Sequence, residues 1–211
     1  ELRDRTKTHV LRRLKQDILD LPDKIITPVY LNLKSKEYMA LMGEYYNWVE
    51  DDSEKKSLTV QFSKLMKVRQ VIAENKVKST CELVENIIEQ GKKVIVFTNF
   101  TDTLNRIVDH FGKSAVKLDG SMSKVARQNS VDQFQENDKI KVFVGNLKAA
   151  GVGITLTAAE AVIMNDLSFV PSDHAQAEDR AYRYGQKSNV SVFYPIFENS
   201  IEGVIYDILS R

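Results

Sequence analysis

From Lys76 onward, short β-branched apolar runs alternate with stretches in which apolar residues recur every three to four positions, the signature of βαβ units and a parallel sheet. The runs predict strands at Val94–Phe97, Val116–Leu118, Lys141–Val144, Ala161–Met164 and Val190–Tyr194. The 3.6-residue periodicity predicts helices at Ser79–Gln90, Thr103–Phe111, Ser123–Gln135, Ser172–Tyr184 and Ile201–Leu209. Before residue 76 the pattern changes to longer helical stretches, Tyr38–Val49 and Leu58–Ile72, with an extended piece, Ile25–Leu33, after Leu21-Pro22. The expected organisation is therefore a linker and helical protrusion over residues 1–75, outside the sheet, followed by an α/β domain over residues 76–211. Four strand candidates run into polar or glycine-containing loops, Thr98-Asn99, Asp119-Gly120-Ser121, Gly145-Asn146 and Asn165-Asp166. In an open α/β sheet the ligand crevice lies beyond the carboxyl ends of the strands, so these loops are expected to share one surface.

Composition narrows the function classes. At 211 residues and 43% hydrophobic content the chain can bury a full core. Thirty Lys and Arg against 29 Asp and Glu leave no bulk charge to attract a polyanion. Charge is nevertheless uneven: residues 1–36 hold nine Lys or Arg and five acids, residues 61–80 hold five and one, and Glu44, Glu50, Asp51, Asp52 and Glu54 form an acidic stretch between them. Such runs are ordinarily solvated faces and indicate nucleic acid only with other support. The single cysteine, Cys81, excludes an intramolecular disulfide and fits a reducing compartment. His9, His110 and His174 lack ligand spacing, so no metal centre is expected. No apolar run approaches membrane length, so the expected location is intracellular with no membrane partner: cytoplasmic in a bacterium or phage, nuclear in a eukaryote. The abrupt, charged start suggests a piece of a longer protein.

The most informative segment is Gln176-Ala177-Glu178-Asp179-Arg180-Ala181-Tyr182-Arg183-Tyr184-Gly185-Gln186. Gln176, Arg180 and Arg183 stand at i, i+4 and i+7 and share a helix face, while Ala177, Ala181 and Tyr184 share another, so the helix can pack on one side and offer guanidinium forks on the other. Gly185 is expected to end it. The alternative at Arg183 is an ordinary i,i+4 surface ion pair with Asp179, worth about 0.3–0.5 kcal/mol. A phosphate-gripping loop is missing: Gly112-Lys113-Ser114 follows a helix and has Ile107 where the first glycine belongs. There is also no Asp-Glu pair after an apolar strand to hold magnesium, so the chain lacks the parts that bind and activate a nucleoside triphosphate alone. In Gly145–Thr157, small residues beside Lys148 permit close approach of a ligand backbone, although a lone Gly-x-Gly also fits a tight turn.

Lys92–Phe100, Leu118-Asp119-Gly120-Ser121 with Arg127 and Phe134, Ala149–Ala159 and Gln176–Gln186 occur in the order and spacing of helicase motifs IV, IVa, V and VI. The chain thereby resembles the Swi/Snf (sucrose non-fermenting) family of ATP-dependent DNA translocases, chromatin-remodelling-type enzymes of helicase superfamily two. Leu11-Arg12-Arg13-Leu14-Lys15 and Leu21-Pro22-Asp23-Lys24 are similar to that family's segment joining its two lobes. The resemblance implies an α/β RecA-like lobe, a parallel sheet with helices on both faces. It also implies ATP and Mg held mainly by an N-terminal lobe of the same polypeptide. Arg180 and Arg183 would then be arginine fingers, with Gln176, Gly151 and Gly153 beside the nucleotide. Thr98, Asn99, Ser121, Asn146 and Lys148 match motifs that meet the backbone of double-stranded DNA, with DNA-bound proteins as further partners. Arg127 is either a structural partner of Asp119 or Asp132 or a DNA contact. Departures from the family pattern fall at Tyr182, Tyr184, Ala150, Thr155 and Gly145-Asn146, and they bear on motif V rather than on the arginines. The Ile-Thr-Leu-Thr and Ala-Glu-Asp variants also resemble fork-remodelling, annealing members. The alternatives are an RNA helicase lobe, disfavoured by the Leu-Arg-Arg linker and Tyr-Gly-Gln tail, and a non-catalytic docking module, disfavoured by the retained Gln176, Arg180 and Arg183.

Overall fold

The computed structural model describes residues 21–50, 58–149 and 153–209. Leu11–Lys15, Asp51, Asp52, Glu54 and Ala150–Val152, Gly151 among them, lie outside the described residues. The strands are β1 (Lys24–Leu31), β2 (Val94–Thr98), β3 (Ala115–Leu118), β4 (Val142–Asn146), β5 (Ala161–Met164) and β6 (Val190–Phe197), and the helices α1 (Lys36–Glu50), α2 (Leu58–Glu89), α3 (Thr101–Phe111), α4 (Lys124–Glu136), α5 (Pro171–Ala181) and α6 (Ile201–Leu209). The strands form one sheet in the order β1-β6-β5-β2-β4-β3. Every pairing is parallel.

Alternation along the central strands builds two cores. Val94, Val96, Val142, Val144, Ala161 and Ile163 face α2 and α3, where Val77, Cys81, Val84, Ile87, Leu104 and Ile107 pack on them. Ile95, Phe97, Phe143, Val162, Met164 and Val192 point the other way, to Val131 and Phe134 of α4, Ala177 and Ala181 of α5 and Ile205 of α6. Strands buried on both faces must be apolar throughout, which is why β2, β4 and β5 stand out as unbroken runs. This is the RecA-like, parallel α/β arrangement. Among the described residues, no helix is long and apolar enough to cross a membrane.

Two expectations about the first 75 residues are corrected. The piece at Ile25–Leu33 is not outside the sheet: Lys24–Leu31 is its edge strand, in register from Lys24 opposite Val190 to Leu31 opposite Phe197. Pro28 is tolerated because an edge strand need not donate on its outer side, and half-exposed Ile25, Ile26 and Tyr30 give β1 none of the apolar continuity of its neighbours. The helices expected at Leu58–Ile72 and Ser79–Gln90 are one helix, α2, which runs through the anticipated boundary at residue 75. Polar residues on its inner face hid that continuity. Lys76 is fully buried, with Nζ 2.6 Å from Glu202 Oε1 and 2.9 Å from the Pro195 carbonyl, and burial raises the Glu202 carboxyl above its ordinary range. Arg69 is buried too, donating to the Leu167 carbonyl and stacking on Phe169 at 4.7 Å. Two of the five cations of the 61–80 stretch are therefore internal struts, and Lys64 lies over the Trp48 ring at 5.8 Å.

Candidate functional site

Helix α5 begins with Pro171 at its first turn, where a missing N–H costs nothing. Its inner face carries His174, Ala177, Glu178 and Ala181. Glu178 is the clamp: Oε1 accepts from the Tyr194 hydroxyl and Oε2 from Lys24 Nζ, both at 2.6 Å, so β6 and β1 hold the helix. Burial and the neighbouring carboxylate push the Tyr194 hydroxyl far above its ordinary value, keeping it a neutral donor. Gln176 lies on the opposite, exposed face.

The helix stops at Ala181, earlier than expected, with Tyr182 at its C-cap. Gln186 explains the early stop. Its buried amide Nε2 donates to the Ala181 carbonyl at 3.2 Å, to Ala159 at 2.8 Å and to Thr157 at 3.2 Å, while Oε1 accepts from the Lys187 and Ser188 N–H groups at 2.8 and 3.0 Å. One side chain thus takes up an orphan helix-end carbonyl and ties the segment after α5 to the loop after β4. Gly185, at φ 97, supplies the left-handed turn that brings Gln186 back.

Arg183 therefore leaves the helix and projects from the bend. Its Nη1 lies 3.0 Å from the Thr155 hydroxyl and 3.3 Å from the Ile154 carbonyl, and Arg180 Nη1 reaches the same Ile154 carbonyl at 3.4 Å. A backbone bond from Leu156 N–H to the Arg180 carbonyl, 2.9 Å, straps this loop to α5. Burial, and then the adjacent Arg183 charge, lower the Arg180 pKa. Two half-buried guanidiniums gathered on one neutral carbonyl make a site whose electrostatics favour an incoming anion with several oxygens. Thr155 supplies a hydroxyl to the Arg183 guanidinium.

At the carboxyl edge of the sheet, the ends of β5, β2, β4 and β3 lie side by side. Thr98 is fully buried, and its hydroxyl accepts from the Phe100 N–H at 3.2 Å. The Asn99 N–H and Nδ2 both donate to Asp166 Oδ2 at 2.7 Å. Asn146 Nδ2 donates to the Asn99 carbonyl at 3.1 Å, and Asn146 Oδ1 accepts from the Lys148 and Ala149 N–H groups at 3.1 and 3.3 Å. Thr98, Asn99 and Asn146 thus spend polar groups on building the turns, whereas Lys148 and Ser121 are exposed. The Ser121 hydroxyl donates to Asp119 Oδ1 at 2.5 Å, and that bond, ahead of Lys117 at 3.4 Å, holds the Asp119 carboxyl below the usual carboxylate range. Arg127 is structural, but through carbonyls rather than Asp119 or Asp132: it donates to Met122 at 3.0 Å and Gly120 at 2.9 Å, clamping the turn after β3.

Arg180 and Arg183 are brought together, and so are Asn99 and Asn146; the segment after β4 is common to both groups. Gly153 sits in that segment with φ 70, a left-handed backbone suited to glycine. Two residues were missed as functional candidates. Asp166 was visible only as part of a polar strand end, and Gln186 only as part of a recognisable tail.

Residues 75–185 match the family described as helicase conserved C-terminal domain. An uncharacterized ATP-dependent helicase of Mycoplasma pneumoniae is 35% identical over 95% of this chain and 21% of its own length. The SWI/SNF-related matrix-associated actin-dependent regulator of chromatin subfamily A-like protein 1 homolog of Caenorhabditis elegans is 32% identical over 97% of this chain and 31% of its own. Among solved structures, the Sulfolobus solfataricus SWI2/SNF2 ATPase core in complex with dsDNA is similar over 99% of this chain and 49% of that one, with a TM-score of 0.74 and 30% identity. The chain spans less than a third of the length of each of these two curated relatives.

Proposed function

We propose, for a chain that belongs to the helicase conserved C-terminal domain family as a Snf2-type C-terminal lobe of superfamily two, that it supplies Arg180 and Arg183 to ATP held by another lobe and grips duplex DNA at its carboxyl edge. The observation that carries this reading is the convergence of both guanidiniums on the Ile154 carbonyl, which sets two permanently charged forks side by side. ATP, with Mg, would bring the reactive phosphoryl group. The chain's own part is to place two permanently charged forks where charge spreads during transfer, with Gln176 and Gly153 lining the approach and Gly151 assigned to the nucleotide by the resemblance alone. Lacking a phosphate loop of its own, the isolated chain is expected to be inactive.

The second half of the proposal concerns DNA. Lys148 and Ser121 meet phosphate oxygens, and Thr98, Asn99 and Asn146 shape the turns that present them, a backbone grip with no base readout. The similarity to a core solved with dsDNA supports duplex rather than RNA. The sheet from β1 to β6 forms the lobe, and α1 with the first half of α2 forms the protrusion. The test is the ATPase rate of the full-length protein containing this chain, with duplex DNA, single-stranded DNA or RNA added. Duplex DNA should stimulate most. Stimulation by RNA alone would transfer the grip to an RNA helicase, and no ATPase at all would leave a docking module.

A further inference from the structure

One carboxylate at the carboxyl edge has no part in contacting phosphate, yet most of the edge hangs from it. Asp166, two residues past the end of β5, is 2% exposed. Its Oδ2 accepts from the backbone N–H and the side-chain amide of Asn99, both at 2.7 Å, and its Oδ1 from Asn165 Nδ2 at 3.4 Å. On one side the chain of bonds continues through fully buried Asn165 to α2, where Thr80 Oγ1 donates to Asn165 Oδ1 at 2.6 Å and the Ala73 carbonyl accepts from Asn165 Nδ2 at 3.3 Å. On the other it runs through the Asn99 carbonyl to Asn146, whose Oδ1 gathers the Lys148 and Ala149 N–H groups. A single hydrogen-bonded path therefore joins α2, β5, β2, β4 and the loop that presents Lys148.

Only an ionised carboxylate suits the central position. Three donors converge on it, and it has acceptors alone, so each bond is charge-assisted. An asparagine there would set its own NH2 against a neighbouring donor. A buried anion is costly unless its donors are fixed, so Asp166 and Asn99 each hold the other in one geometry. Arg69, which reaches the next carbonyl at Leu167, adds a favourable positive field.

We infer that Asp166 is the positioning residue of the DNA grip: by fixing Asn99 and, through it, Asn146, it sets the turn that holds Lys148 toward phosphate and ties that turn to α2. This rests on the reading of the edge as a DNA-binding surface.

The test uses the full-length protein and measures the duplex concentration that half-saturates its ATPase. Asp166→Asn should raise that concentration about tenfold while KM for ATP moves less than about twofold. Asn99→Asp alone sets two carboxylates together and should act in the same direction. The double variant, Asp166→Asn with Asn99→Asp, restores the side-chain donor–acceptor pair while leaving the backbone N–H of residue 99 without its acceptor, and should recover part of the loss, ahead of either single variant. If Asp166→Asn folds poorly, Thr80→Val breaks the path at α2 without touching the edge and should raise half-saturation about threefold. Unchanged half-saturation in these variants, an equal rise in KM for ATP, or a double variant no better than the singles overturns the inference. A wild type that duplex DNA fails to stimulate overturns the functional reading together with the inference, whereas normal stimulation with an insensitive Asp166→Asn overturns the inference alone.

Discussion

The arginine end and the carboxyl edge are built on opposite principles. At the edge, Asn99, Asn146, Asp166 and Asn165 satisfy one another, with two bonds at 2.7 Å to one carboxylate oxygen and a longer one, 3.4 Å, to the other. At the arginine end two cations both reach one carbonyl, at 3.4 and 3.3 Å, and Arg183 also meets the Thr155 hydroxyl at 3.0 Å, so the contacts are to neutral oxygens rather than to a buried carboxylate. The edge is complete as it stands and presents a fixed surface, which suits a ligand gripped by its uniform backbone. The arginine end is poised for a stronger acceptor, which suits groups that act on charge arriving from outside. Their seats differ accordingly: Asp166 is anchored to α2, whereas Arg180 rides on α5 and Arg183 on the bend after it, held by Glu178 and Gln186.

The contrast can be broken at either end. The largest effect is expected for Arg183→Ala in the full-length protein, a loss of ATPase of about a thousandfold or more with duplex affinity changed less than about twofold. Steady-state rates and fluorescence anisotropy would measure the two, and a parallel loss of both would merge the two regions into one. Gln186→Leu strips partners from three carbonyls and two N–H groups and should cost about 2–4 kcal/mol in urea denaturation. Lys148→Ala should weaken duplex binding about threefold to tenfold and lower the slope of log affinity against log salt by about one, leaving the ATPase at saturating DNA intact.

The smallest effect is a pH dependence confined to the α5 seat. Burial lowers the His174 pKa below its ordinary 6.5, so the unfolded chain takes up a proton that the folded chain resists. Stability from this group is full above pH 6.5 and is lost as pH falls below it toward the folded value. Thermal unfolding between pH 7.5 and about pH 5.5 should show that slope, and His174→Gln should flatten it.

The two regions also differed in how much the sequence disclosed. Central strands buried on both faces announce themselves as continuous apolar runs, and β2, β4 and β5 were legible for that reason. Edge strand β1 was not, because its half-exposed pattern and Pro28 look like a linker until β6 pairs with it. Buried charge misled in the same way: Lys76 and Arg69 read as solvated because their partners, Glu202 and the Leu167 carbonyl, lie 126 and 98 residues away in the chain. Arg180 and Arg183 were found by spacing, yet the helix that was meant to carry both ends between them. It is Gln186, a cap from beyond the turn, that sets Arg183 where it is. Asn99 and Asn146 are candidates for phosphate contact by residue type, and the bonds they also make, to Asp166, to each other and to the Lys148 and Ala149 N–H groups, are a use that residue type alone does not reveal.

The most direct test of the account is the position of the Arg183 guanidinium in a structure of the full-length protein bound to duplex DNA, magnesium, ADP and a planar phosphoryl mimic. The account predicts that Arg183 leaves the Ile154 carbonyl and hydrogen-bonds the mimic, with Arg180 beside it. A guanidinium still resting on Ile154 and Thr155, with no contact to the phosphoryl group, would contradict it.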